Sequence, residues 1–443
     1  MRNPKNVVIM VGDGMGYNQV AAGSLFLYGE VGKQGFEHFP VRFGVTTFSA
    51  SGRGYSPDSA WVSFSYVQRH ATDSGASATA ISTGTKTYNG AIGFGPDQRP
   101  LDHLMDLAEN VGKSTGVVSS VPLTHATPAG FLAHNASRAA LERLAQEMIL
   151  RSRVDVLMAC GNPWFDDNGD SLAVAKTYKW LGGEQVWNGL LASATRFDLD
   201  SNGTAETVVG DADGDGIPDA WTLIQTRREF CSMISGPTPN RVIGIPQTHE
   251  TLQNKRFGQR GPKMSDYRED APYAVPQNER VPTLPEMTRA ALNVLDNDPD
   301  GFVLMVEGGA IDWSGHSTNS GRMIEEMVDF TRAVDAVSAW VDSASSWDET
   351  LVVVTGDHET GYLWGPGSGL QADGSSVWNP LQGNGVGRLP GMQWNGGGHT
   401  NSLLPLYAKG RGSERFSRYV DGIDPRRGPF VDNTTIFKVL TDR

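Results

Sequence analysis

Five short runs built almost wholly from apolar residues set the tightest limit on how this chain can fold. They are VVIMV at 7–11, GVVSSV at 116–121, VDVLMA at 154–159, FVLMV at 302–306 and LVVVT at 351–355. In none does a polar residue recur at every second position, so each reads as a strand covered on both faces, the kind found in parallel sheets. Helical patterns at 101–111, 137–150, 285–297 and 321–342 separate the runs. The alternation predicts an α/β fold, a three-layer sandwich with a mostly parallel central sheet and helices on both faces. No convincing linker divides the chain, so 1–443 reads as a single domain. Within it, 160–280 is rich in Gly, Pro, Asn and Asp and reads as a loop-rich insertion, and 362–397 reads as a shorter glycine-rich insertion.

In open sheets of this type ligands collect beyond the carboxyl ends of the strands, and here those positions are polar. VVIMV runs into Gly12-Asp13-Gly14-Met15-Gly16, and GVVSSV is followed by Thr124, His125 and Thr127. FVLMV leads to Glu307, Asp312 and His316, and LVVVT to Asp357 and His358. Asp312 and His316 stand four apart and share one face of a helical turn, a pairing suited to zinc, although His316 alone also fits an ordinary loop histidine. Asp357 and His358 follow a fully apolar strand, where burying a carboxylate and an imidazole is costly unless a charged group receives them. A metal is the simplest receiver, and a strand-end turn capped by the aspartate is the alternative. His399 sits behind three glycines in GGGHTNS. Three carboxylates and three imidazoles thus gather at one rim of the predicted sheet.

The 443 residues are 39% hydrophobic, enough for a large core, and carry a formal charge of −13. Such a surface repels phosphodiester backbones, so no nucleic-acid complex is expected, and a small anionic substrate needs a local positive centre. No apolar run approaches the roughly 20 residues of a membrane span, so no membrane insertion is expected. The polar RNPKN after Met1 implies that any export signal has been removed. Cys160 and Cys231 allow one bridge or two thiols.

The segment RHATDSGASATAISTG at 69–84 places Ser74 behind Asp73 with no base beside it. With GDGMG, THATPAGFLAHNASR, EGGAIDWSGH, TGDHETG and GGHT in order from about residue 6 to about residue 408, this segment resembles the metal-dependent alkaline phosphatases. The resemblance implies hydrolysis of small-molecule phosphate monoesters by a homodimer. It implies one zinc ion held by Asp312, His316 and His399, a second by Asp13, Asp357 and His358, and a third ion, magnesium, by Asp13, Thr127 and Glu307. Ser74 then matches the nucleophile that becomes phosphoserine, and Arg138 the arginine that grips the phosphate. On that reading a metal activates the serine, which makes an adjacent base unnecessary. The small residues after it begin a helix whose first amides favour negative charge. Two positions depart from the best-known bacterial pattern: His125 stands where an aspartate often lies, and Trp313 where a lysine often lies. Both line the substrate pocket in this reading, with direct contact to the third metal the alternative role for His125.

One motif falls outside the resemblance. Asp198, Asp200, Asn202 and Glu206 recur thirteen positions later as Asp211, Asp213, Asp215 and Asp219, with Gly203 and Gly216 in register. Alternating carboxylates around a turn-making glycine suit calcium, although Val209 and Thr222 replace the glutamate that closes an EF-hand loop. A calcium site favours an exported protein, periplasmic or secreted; a solvated acidic loop is the alternative. A related diesterase or sulfatase is the competing enzyme. Gly75-Ala76-Ser77 after Ser74 does not fit the sulfatase nucleophile context, and Ser74 with Arg138 favours monoesters. A calcium-dependent extracellular binding protein explains only the repeat.

Overall fold

The structure is a computed structural model that describes residues 3–199 and 204–441. Its centre is an eleven-stranded sheet. From one edge to the other the strands are Gly422–Asp424, Gly428–Asp432, Val41–Thr46, Leu404–Gly410, Thr350–Gly356, Asn6–Gly12, Phe302–Gly308, Ser114–Pro122, Val156–Cys160, Val242–Gly244 and Thr222–Ile224. Only Leu404–Gly410 and Gly422–Asp424 run against the others. The predicted α/β sandwich with a mostly parallel sheet is therefore the observed fold.

Every residue of Asn6–Gly12 is buried, because the pleat sends successive side chains to opposite faces and both faces are covered. Val7, Ile9 and Val11 join a core with the helices Ser74–Thr83, Leu104–Glu109, Leu141–Gln146, Glu184–Leu191 and Thr435–Thr441. Val8 and Met10 join the opposite core with Tyr17–Tyr28, Leu284–Leu295 and Ser320–Ala344. Local signals set where these helices begin. The Thr283 hydroxyl accepts from the Glu286 amide with Pro285 in the first turn, and Asn319 accepts from the Arg322 amide.

The segment 160–280 differs from a pure decoration, since Thr222–Ile224 and Val242–Gly244 extend the sheet at its edge. Both strands are three residues long, too short for periodicity to reveal them. Cys160 is buried and Cys231 exposed, and both are free thiols. Among the described residues no helix is long and apolar enough to cross a membrane.

Candidate active site

Strand register brings the acidic residues to one level. Gly12 pairs with both Gly356 and Gly308, so Asp13 and Asp357 leave the sheet side by side, while Glu307 pairs with Val11 and with Ser119. Gly14 is at φ 77°, and a Cβ there would lie 2.6 Å from the Asp312 Cα. Glycine is thus needed both for the turn and for the contact that packs the Asp13 loop against the helix Ala310–His316. His399 arrives on a two-residue ribbon, His399–Thr400, that pairs antiparallel with Glu359–Thr360.

The donor atoms converge. His316 Nε2 lies 3.1 Å from His399 Nε2 and 3.3 Å from Asp312 Oδ1, and His399 Nε2 is 3.5 Å from the same oxygen. Four ligands about 2.1 Å from a tetrahedral ion sit about 3.4 Å apart, so these spacings suit zinc. His358 Nε2 is 3.5 Å from Asp13 Oδ1, 3.2 Å from Asp357 Oδ2 and 3.1 Å from the Ser74 hydroxyl. His125 Nδ1 faces Asp13 at 3.6 Å and Glu307 at 3.9 Å. The second nitrogens of the rings are fixed from behind: His316 Nδ1 by the Gly397 carbonyl at 2.6 Å, His399 Nδ1 by the Thr72 carbonyl at 2.9 Å.

Both Asp13 carboxylate oxygens, Asp357 Oδ2, Glu307 Oε1, His125 Nδ1 and the Thr127 hydroxyl are buried without a hydrogen-bond partner. One such group costs about 1–3 kcal/mol, and six together call for a polyvalent cation. The titration behaviour agrees. Burial, with the charges of Asp357, Asp312 and Glu307, pushes the Asp13 carboxyl well up. Burial and Asp312 push Asp357 up to about 7. Burial and the neighbouring His399 hold His358 well down, leaving a neutral imidazole with a lone pair to offer. Burial works against the Asp312 carboxylate, yet its hydrogen bond to His399 and the three imidazoles hold it below the usual range. Carboxylates that repel one another this way are relieved by a divalent ion.

Ser74 opens the helix Ser74–Thr83, with Asp73 as N-cap accepting from the Ala76 amide at 3.0 Å. The other Asp73 oxygen accepts from Arg138 Nη1 at 2.9 Å. Trp313 Nε1 donates to His125 Nε2 at 3.4 Å, and the Lys255 ammonium lies 4.8 Å from the centre of the Trp313 ring. Ser74, Arg138, His125, Trp313 and Lys255 line an open cleft of about 720 Å³ with Asp312, His316 and His399. Ser74, Arg138, His125, Trp313 and the carboxylates and imidazoles expected from the motifs thus gather at one centre, and Thr127 is buried. In the third group the His125 ring joins the carboxylates of Asp13 and Glu307, and the Thr127 hydroxyl is buried without a partner. Supporting hydroxyls went unread: Ser119 hydrogen-bonds Glu307, and Thr360 donates to Asp312 at 2.5 Å. The polar pair closing GVVSSV was the available signal for the first.

The acidic repeat is only partly assembled. Asp211, Asp213 and Asp219 bring oxygens together. Asp215 instead takes the Ile217 amide of its own turn at 2.7 Å, and Glu206 faces Arg151 at 3.6 Å. Asp198 is outside the cluster; Asp200 and Asn202 lie outside the described residues.

A profile of the family described as alkaline phosphatase matches residues 4–190 and 266–415. Alkaline phosphatase H of Pseudomonas aeruginosa is 30% identical over 369 residues, spanning 81% of this chain and 70% of that protein. Alkaline phosphatase 3 of Bacillus subtilis is 29% identical over 380 residues, 84% of this chain but only 64% of the relative's length. The alkaline phosphatase of the Antarctic bacterium TAB5 shares the fold at a TM-score of 0.64 and 24% identity, covering 100% of this chain and 98% of that one; a variant of it has been solved with magnesium in its M3 site. The profile spans both halves of the acidic and histidine-bearing rim and the serine helix, and on that extent the chain belongs to the alkaline phosphatase family.

Proposed function

We propose that the chain hydrolyses phosphate monoesters to an alcohol and inorganic phosphate, with Ser74 as nucleophile and a phosphoserine intermediate. The observation that carries this reading is the set of orphaned polar atoms around Asp13, Asp357 and Glu307, beside a serine hydroxyl and within reach of an arginine. Asp312, His316 and His399 would hold one zinc ion, and Asp13, Asp357 and His358 a second. Asp13 and Glu307, with His125 and Thr127 adjacent, would hold the third, magnesium by the family resemblance; the TAB5 variants solved with magnesium in their M3 site have a histidine replaced by aspartate or glutamate. Bound there, the ions supply Lewis-acid chemistry, lowering the pKa of a hydroxyl or water and offsetting charge on phosphoryl oxygens.

The protein's own groups account for binding and direction. Ser74 heads its helix, so a phosphate at its Oγ meets the positive end of the helix dipole. Asp73 engages one Arg138 nitrogen and holds the guanidinium in place, leaving other donors to fork onto phosphoryl oxygens. Ser74 Oγ loses its proton and bonds to phosphorus while the ester oxygen leaves and is protonated. Water then cleaves the phosphoserine bond, releasing phosphate and restoring the hydroxyl. Acid quenching during turnover of a phosphorus-labelled monoester should trap label on Ser74, and Ser74→Ala should trap none. Turnover with no trapped adduct would sink the covalent route.

Three finer points belong to the same reading. Asp211, Asp213 and Asp219 would hold a calcium ion; the protein acts as a homodimer; and it works in the periplasm or as a secreted protein. Sedimentation and cell fractionation check the last two.

A further inference from the structure

A second cavity, of about 170 Å³, is lined by Arg53, Arg69, His70, Tyr66, Ser63 and Asn401. Some arginines of this acidic chain meet carboxylates, Arg138 with Asp73 and Arg256 with Glu325 among them. Among the described residues neither Arg53 nor Arg69 has an acidic partner, and no carboxylate lines the cavity. A pocket that gathers two guanidiniums and an imidazole without a counter-charge is matched to an anion that brings its own.

The walls are held in place. The Asn401 side chain donates to the Arg53 carbonyl at 3.0 Å, and its amide to the Val67 carbonyl at 2.6 Å, tying both arms of the pocket together. The Tyr66 hydroxyl accepts from the Ser56 amide at 3.0 Å. His70 is exposed and at φ 58°, in the left-handed region.

The pocket also adjoins the metal-binding rim. His70 precedes Ser74 by four residues and Asn401 follows His399 by two, which limits the two Cα separations to about 14 Å and about 7 Å. Gln68 donates to the Asn395 carbonyl at 2.9 Å, next to the glycine loop whose Gly397 carbonyl holds His316. A molecule with phosphate at Ser74 can therefore present a second anionic group here.

We propose that this cavity is a second anion subsite, taking the distal phosphoryl group of a small bisphosphate whose other phosphate lies at Ser74. The proposal rests on the phosphomonoesterase reading above. The test compares α,ω-alkanediol bisphosphates of increasing length with alkyl monophosphates of equal length and with p-nitrophenyl phosphate, at constant ionic strength. Wild type and Arg53→Gln/Arg69→Gln are measured side by side. Bisphosphates of matching length should show a KM about ten-fold below their monophosphate counterparts. The double variant should lose that advantage, with kcat and the aryl monoester unchanged, and Arg53→Lys should keep most of it. No advantage in wild type, or one that survives the double substitution, overturns the subsite. An aryl monoester left unhydrolysed by the metal-loaded wild type overturns the phosphomonoesterase reading instead. Calorimetric titration of Ser74→Ala with inorganic phosphate separates the sources of the anion. A phosphate site lost in the double variant, together with a bisphosphate advantage, supports the proposal. The same lost site without that advantage assigns the cavity to free phosphate and overturns the distal-group role.

Discussion

Trp313 touches two polar groups at once: its N–H faces His125 Nε2, and its ring carries the Lys255 ammonium, itself paired with Glu250. The rim of the cleft is thus given little free positive charge at this point. Trp313→Lys should add it, lowering the inhibition constant for product phosphate roughly three- to ten-fold and slowing turnover where release limits the rate. Unchanged phosphate inhibition would show that this side chain does not set product affinity. Asp13, Asp357 and His358 were legible because a charge directly after an apolar strand needs a partner. For His125 the sequence left two places open, the substrate pocket and the third metal, because only the assembled site shows its ring beside both Asp13 and Glu307.

The helix Ser320–Ala344 carries Glu326 fully into the interior, where one of its oxygens has no partner. Burial, with Asp329 and Glu325 nearby, pushes its carboxyl from 4.5 up to about 8. The folded chain therefore keeps a proton that the unfolded chain has released, and stability falls as pH rises through that window. The fall from pH 5 to pH 9 should be on the order of 3 kcal/mol. Glu326→Gln should flatten the urea-midpoint profile and exceed wild type at pH 9; a slope as steep as the wild type's would refute the assignment. At this scale the five apolar runs gave away the central strands, since burial on both faces leaves them few polar residues and no polar alternation. Val41–Thr46 escaped because Arg42 breaks the run, and Leu404–Gly410 because Pro405 and Lys409 do. Arg53, Arg69 and His70 meet through contacts within 52–70 and through Asn401, and no regular element there gives a periodic pattern that announces their pocket.

Across the whole molecule, the rim spans nearly the entire chain, from Asp13 to His399. Removing divalent ions should leave its carboxylates facing one another, so chelation should lower the unfolding temperature by about 10 °C or more, restored by zinc with magnesium. Added millimolar calcium should give a separate rise that Asp211→Asn abolishes; a rise untouched by that substitution would remove calcium from the acidic repeat. The central strand Asn6–Gly12 has as neighbours only Phe302–Gly308 and Thr350–Gly356. Both neighbours lie far downstream in the chain, so the strand is made long before either can cover it. An apolar segment with no polar face thus waits unpartnered while roughly three hundred further residues are made, which ties production of this protein to whatever shields nascent chains in its host.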